Sequence, residues 1–428
     1  MRAAAVLMML FGTAAPAAAA EGALELQPLI DEALTNNHDV LVAGAKWQAA
    51  NARIKLAGSL PDPMVMVGYQ NEGWNQYTYG QSPDAQWMFS VSQMFPFPGK
   101  RTIREEMASR DADTAGAMQS AARLATVQRV KELYYDLFQV YKDLDLIRER
   151  TILFNRIEEA ALARYAAGMG AQQEVLMAQT EKYMLIERGT MLNQKRRSLE
   201  AMLIAALGRQ QSAALGRPAE PAATAFAADV DELVRKALER SPEVRSRQKM
   251  LGASSAGVHM ARKEFYPDVT LAGSVFARPG QFQDMWSVTA TFNIPLYYRS
   301  RQSQALAEAR AMSLSAEHDL EGVRSMVASA VRDNYAMIRS ADELMNLYRE
   351  GLLPKTMQDF ELSLSGYRNC KVEEITALNR LKALVDYELA YWAQFVEREK
   401  AIARIEALIG GCDPPAAKGE HHEHQEQK

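Results

Sequence analysis

The feature that most constrains this chain is that it is written twice. Leu29–Leu34 (LIDEAL) recurs as Leu233–Leu238 (LVRKAL), and each copy runs on through polar residues into an acid-valine step, Asp39-Val40 and Glu243-Val244. Leu60-Pro61-Asp62 is echoed by Tyr266-Pro267-Asp268, Met94–Phe97 (MFPF) by Asn293–Leu296 (NIPL), and Tyr165–Gly168 (YAAG) by Tyr367–Cys370 (YRNC). Echoes kept in one order across a whole chain mark a duplicated architecture. The boundaries that follow are a first repeat over residues 21–210, an Ala-, Pro- and Gly-rich linker over 211–228, and a second repeat over 229–410.

Each repeat has the same punctuation: helix, proline, two strands, proline, long helix, turn, long helix. In the second repeat Val269, Leu271, Gly273 and Val275 alternate with Thr270, Ala272 and Ser274. After the turn at Pro279-Gly280, Trp286, Val288, Ala290 and Phe292 alternate with Ser287, Thr289 and Thr291. One face is apolar and the other small and polar. The first repeat shows the same pattern less cleanly, with Val65, Val67, Tyr69, Phe89 and Val91 against Ser90 and Ser92. Two hairpins, at about 63–96 and 267–295, are predicted, and an isolated hairpin is marginal in water. Strands of this length suit a tilted membrane crossing, apolar side to lipid and hydroxyl side to a lumen. Four strands are too few to close a wide barrel, so several copies must share one.

Prolines stand at the ends of both hairpins, at Pro61, Pro63, Pro96, Pro98, Pro267 and Pro295, where a missing N–H is tolerated. The first hairpin exits through Pro96, Phe97, Pro98, Gly99, Lys100 and Arg101, a rigid turn at which a strand hands over to a helix. Its basic pair is either a cap at a polar interface or a solvated pair. Beyond it, Val127, Val130, Tyr134, Leu137, Tyr141 and Leu144 step by three and four, as do Val323, Val327, Ala330, Met337, Ala341 and Leu344. From Arg101 to Tyr165 there is no proline, so one helix of about 95 Å is possible. The matching stretch of the second repeat should kink or break near Gly351 and Pro354.

The N-terminus reads as a secretory signal peptide over residues 1–20: Arg2, an apolar run from Ala3 to Phe11, then small residues to Ala20. No cysteine follows for lipid attachment, because the only two are Cys370 and Cys412, which we expect to be incidental. After the signal no apolar run approaches a spanning helix; Leu199–Leu207 is the best and is far too short. A membrane crossing would therefore use strands in a closed barrel. The net charge of −4 argues against nucleic acid as a partner. No Gly-rich phosphate loop, His-Glu-x-x-His pair or Gly-x-Ser-x-Gly elbow is present, and His38, His259 and His318 are scattered without ligand partners, so no catalytic residue and no cofactor is expected.

The signal peptide, the doubled order, the paired hairpins, the Pro96–Arg101 exit and the Tyr165–Gly168 turn together resemble the outer-membrane efflux protein family, the TolC-like channels, over residues 24 to 410. The resemblance implies an α+β, mostly α fold. Each half would give a hairpin to a trimeric twelve-stranded barrel in the outer membrane of a diderm bacterium, with long coiled-coil-like helices forming a periplasmic tube. It implies a homotrimer in outer-membrane lipid that docks to a periplasmic adaptor (membrane fusion) protein and an inner-membrane resistance-nodulation-division pump. It also places a closed tip near the turn after Tyr165 and Gly168, and near Tyr367 and Cys370 in the second repeat. Inward carboxylates would form a cation-selecting gate there: Glu174, with Glu373 and Glu374 nearest in the second half, although the best-matched position there is Thr376, followed by Asn379. These glutamates are either that gate or ordinary solvated first-turn residues. Cys370 stands where the family usually has glycine; it is either a strained or tolerated substitution or a thiol that touches metal.

Residues 411–428 follow as a His-containing tail, expected to be disordered, in which His421, His422 and His424 can hold transition metals weakly or serve only solubility. The Met content, 22 residues, is either flexible core filling or a hint of soft metals. The proline-rich exit resembles the heavy-metal branch of the family, which implies a passive duct for heavy-metal cations. The alternatives are the same channel serving multidrug or type I protein export, and a soluble periplasmic coiled-coil adaptor.

Overall fold

The computed structural model describes residues 23–210, 215–280, 282–369 and 371–411. The first repeat comprises α1 (Leu26–Asn36), α2 (His38–Gly58), β1 (Met64–Gln70), β2 (Gln86–Phe95), α3 (Lys100–Ala166) and α4 (Gln172–Ala206). The second comprises α5 (Val230–Arg240), α6 (Pro242–Lys263), β3 (Val269–Ala277), β4 (Met285–Phe292) and α7 (Gln302–Asn346). A π-helical segment (Leu347–Leu352), α8 (Leu353–Arg368) and α9 (Glu374–Leu408) complete it. The repeats match in length as well as in order. α3 has 67 residues, and the run from Gln302 to Arg368 has the same span; α4 and α9 have 35 each.

At about 1.5 Å per residue the 67 residues of α3 reach ~100 Å. Nothing in α3 interrupts it, since it has no proline and its glycine is a single one, Gly116. Val130, Leu133, Tyr134, Leu137, Val140 and Leu144 form its buried seam, with Val127 and Tyr141 packed alongside. The seam of α7 differs from the sequence expectation by one step: Val323, Val327, Val331, Ile338 and Ala341 are buried, whereas Met337 is 45% exposed. Asn334 holds the intervening seam position by turning its Nδ2 back to the Ala330 carbonyl at 2.8 Å. The break near Gly351 and Pro354 is present as the π-helical turn, with Pro354 in the first turn of α8, where its missing N–H leaves a gap that a wider turn absorbs.

Two equivalent cores mark the middle of the molecule. Leu29, Ile30 and Ala33 of α1 pack on α3 and the end of α4, and Leu233, Val234 and Ala237 of α5 pack on α7 and the end of α9. A third core joins Ile147, Phe154 and Ile157 of α3 to Leu185 of α4, Phe360 of α8 and Leu378, Leu381 and Val385 of α9, so the two repeats share one bundle toward the helix turns.

The hairpins meet edge to edge. One antiparallel sheet has the order β1-β2-β3-β4, and β2 pairs β3 from Trp87↔Ala277 to Phe95↔Val269. The register carries the alternation of one hairpin into the other. Val67, Phe89, Val275 and Trp286 lie in one row on the apolar face, and Met66, Ser90, Ser274 and Ser287 in one row on the other. Ser274 donates to Ser90 at 2.9 Å across that join. Val65, Val91, Trp286 and Val288 are 55% exposed or more, an apolar face left open to its surroundings. Among the described residues no helix is long and apolar enough to cross a membrane.

Candidate functional site

Two ends of the long helices carry the residues of interest. At the sheet end, Gly99 takes φ +91, a left-handed conformation that only glycine adopts without strain, and turns the chain into α3. The basic pair that follows splits its roles. Lys100 is 1% exposed and its Nζ donates to Asp268 at 2.9 Å and to the Tyr266 carbonyl at 3.0 Å, with Glu264 at 3.5 Å. Asp268 also accepts from the Phe97 N–H at 2.7 Å, and Phe97 stacks on Tyr266 with ring centroids 4.5 Å apart. Arg101 reaches instead to the Gly58 carbonyl at the end of α2, at 2.7 and 2.9 Å. The exit of one hairpin is thus clamped to the entry of the other.

At the opposite end, the α3–α4 turn closes as a Schellman motif: Met169 N–H bonds to the Arg164 carbonyl at 2.9 Å and Gly168 N–H to Tyr165 at 3.0 Å, with Gly168 at φ +70. The α8–α9 turn closes with the same long bond, Lys371 N–H to the Gly366 carbonyl at 2.8 Å. Cys370 falls outside the described residues, as do the signal segment, Cys412 and the tail with His421, His422 and His424.

The two tyrosines of the echo separate here. Tyr165 is 48% exposed, while Tyr367 is fully buried and donates its phenol to Glu174 at 2.9 Å. Arg164 lies over the Tyr367 ring at 4.5 Å and donates to the Tyr367 and Met169 carbonyls at 3.0 and 3.2 Å. Glu374 is 2% exposed, and neither of its carboxylate oxygens has a hydrogen-bond partner. Burial pushes its carboxyl up to about 7; the charge of Glu174 adds to this and Arg164 opposes it. Burial, and then the bond to Glu174, push the Tyr367 phenol upward as well.

The structure therefore gathers Glu174, Tyr367 and Glu374 into one cluster. Glu373 is exposed at the cap of α9, Thr376 is half-buried and Asn379 is exposed on the returning helix. Arg164, which ties the cluster together, was not singled out by sequence reasoning; its one signal is a cation directly before the tyrosine of the echo. Among the described residues no group of three or more His, Cys, Asp or Glu side chains is placed to hold a metal ion.

An open four-stranded sheet with a lipid-like face, continued by helices of ~100 Å that return through tight turns, defines an elongated channel subunit of outer-membrane type. The model of the family described as outer membrane efflux protein matches residues 29–209 and 233–410, and the chain belongs to that family. Its members are outer-membrane channels and not enzymes. Among relatives, the pyoverdine export outer membrane protein OpmQ of Pseudomonas putida is 23% identical over 417 residues, covering 90% of this chain and 86% of that protein. The cobalt-zinc-cadmium resistance protein CzcC of Cupriavidus metallidurans is 21% identical over 402 residues, covering 91% of each chain. Among solved structures, the outer membrane protein VceC of Vibrio cholerae matches with a TM-score of 0.77 at 18% identity, covering 90% of this chain and 96% of that one.

Proposed function

We propose that this chain is the outer-membrane duct of a tripartite export assembly: a homotrimer whose sheets join into a twelve-stranded barrel and whose helices form a periplasmic tube. The observation that carries this is the pair of open edges. Among the described residues β1 and β4 each have a strand partner on one side only, and an edge left bare in lipid costs several kcal/mol per unpaired group, of order ~4. Pairing β4 of one copy with β1 of the next satisfies both edges and closes the barrel. Residues 21–210 and 229–410 then act as two equivalent staves per subunit, with 211–228 as the connection. The far end, with Tyr165 and Gly168 exposed at the first turn, is the docking surface for a periplasmic adaptor and an inner-membrane resistance-nodulation-division pump; Tyr367, which the sequence placed there too, is buried beneath it. The Glu174, Tyr367 and Glu374 cluster beside it is the gate, and Glu373, Thr376 and Asn379 line the approach.

The cargo in this reading is heavy-metal cations. Its support is the similarity to CzcC along 91% of both chains, and a second relative, the nickel-cobalt-cadmium resistance protein NccC, at 24% identity over 322 residues. Deletion of the gene should lower tolerance to copper, silver, zinc or cobalt. A second reading, export of an organic molecule, is favoured by the similarity to OpmQ. Unchanged tolerance to all the metals, with a loss of drug tolerance or of siderophore secretion, decides for it. Unboiled membrane extracts should show a heat-sensitive trimer under either reading; a monomer only would refute the shared barrel.

A further inference from the structure

The hydroxyl face of the sheet has a second character. Every methionine in the four strands, Met64, Met66, Met88, Met94 and Met285, lies on the face that bears Ser90, Ser92, Thr270, Ser274, Ser287 and Thr289. The opposite face takes its bulk from Val, Leu, Phe and Trp, and none of its positions is a methionine. A barrel lumen is ordinarily polar. These side chains do not serve a core either, since Met64, Met66 and Met285 are 65%, 50% and 42% exposed. If bulk alone were needed, the valines and leucines used one residue away would supply it. What methionine adds is a thioether sulfur on a long, flexible stem, a soft neutral donor.

The register sets four of the methionines in two diagonal pairs along the face. Met66 faces Ser90 and Met64 faces Ser92 across β1 and β2, so Met88 and Met94 are their diagonal neighbours on the same face. Such neighbours lie roughly 7–8 Å apart at the backbone, a gap that two methionine side chains span. The methyl of Met88 leans over Gly68, 3.4 Å from where a Cβ would stand, so the absence of a side chain there leaves it room. Met285 continues the row through Phe276 to Met88. The four strands carry no charged residue. Neutral sulfur and hydroxyl donors suit a soft cation of low charge, and their weakness lets an ion leave as readily as it enters.

We propose that this face is a thioether site for soft monovalent metal cations, built by Met64, Met66, Met88 and Met94 with Met285 beside them, along which such an ion passes through the barrel. It rests on the metal-export reading for its biological role and deepens it by naming the class of ion. The test uses the purified full-length trimer carrying methyl-13C methionine, titrated with Ag+ in chloride-free buffer, with Zn2+ as the hard control. The strand methyl signals should shift with Ag+ and not with Zn2+. Changing all five residues to leucine should weaken Ag+ binding at least tenfold. The pair Met64→Leu and Met66→Leu serves if the fivefold variant does not run as a heat-sensitive trimer, and should weaken binding at least threefold. Leucine variants that bind Ag+ like the parent, or Ag+ shifts as large at the exposed helix residues Met191, Met312 and Met326, overturn the site. A deletion strain with unchanged metal tolerance refutes the export reading instead, and leaves the in vitro binding to stand or fall alone.

Discussion

Glu374→Gln tests the tip most directly. The carboxyl has a pKa of about 7 in the folded tip against an ordinary 4.5, so the folded tip keeps a proton that an opened segment releases. For an acid whose folded value is raised, stability is greatest below about 4.5, falls as pH rises toward 7 and levels off above it. At about 1.4 kcal/mol per pH unit, that gap caps the loss at ~3.5 kcal/mol, a rise of up to ~300-fold in the opening constant. Glutamine keeps the size of the side chain and removes the titration, so the variant tip should be as closed at high pH as the parent is at low pH.

The groups that face Glu374 are Arg164 of α3, Glu174 of α4 and Tyr367 of α8. Hydrogen exchange on the purified trimer, followed in peptides covering the two turns and corrected for intrinsic rates, reads the opening constant directly. The parent's protection should fall between about pH 4.5 and 7 and level off above, while that of the variant stays flat. Parallel profiles in the two proteins would refute the reasoning, because they would place the titrating group elsewhere.

Three other perturbations follow from the same geometry. Lys100→Met strands Asp268 beside a buried turn and should cost about 3 kcal/mol, read as a lower melting temperature of the trimer. Tyr367→Phe removes the donor to Glu174 and should loosen the tip by about 1.5 kcal/mol, seen as a larger single-channel open probability in planar bilayers. Gly208→Ala forces a side chain at φ +71 to within 2.5 Å of the Asn36 carbonyl oxygen. It should cost at least ~2 kcal/mol and lower the yield of assembled trimer.

The hairpins, their proline exits and the uninterrupted α3 were legible because each rests on a short-range period or a missing donor. The pairing of β2 with β3 was not, because it joins residues from Trp87 to Ala277 whose register is set by the whole molecule. The same distinction runs through the site. A lysine and an arginine side by side look alike in a sequence, and only the arrival of Asp268 from the other repeat decides that Lys100 is buried while Arg101 caps α2. Met337 and Ile338 are both compatible with a three-four pattern, and the packing of α5 and α9 on α7 selects Ile338.

The duplication also explains why the tip cluster is formed between repeats and not within one. Because the helices have equal lengths, Arg164 matches Gly366, Tyr165 matches Tyr367, Gln172 matches Glu374 and Glu174 matches Thr376. A side chain at Gly366 would have to displace Val372, since its Cβ would stand 2.6 Å from the Val372 Cγ2. The second turn thus has no room for an arginine of its own, and its tyrosine is buried beneath the one supplied by the first repeat. The cation and one carboxylate come from one half, the phenol and the unpaired carboxylate from the other. Separating the two turns therefore removes the phenol from Glu174 and exposes Glu374 to water in a single movement, which couples opening of the helix pairs to ionisation of one side chain.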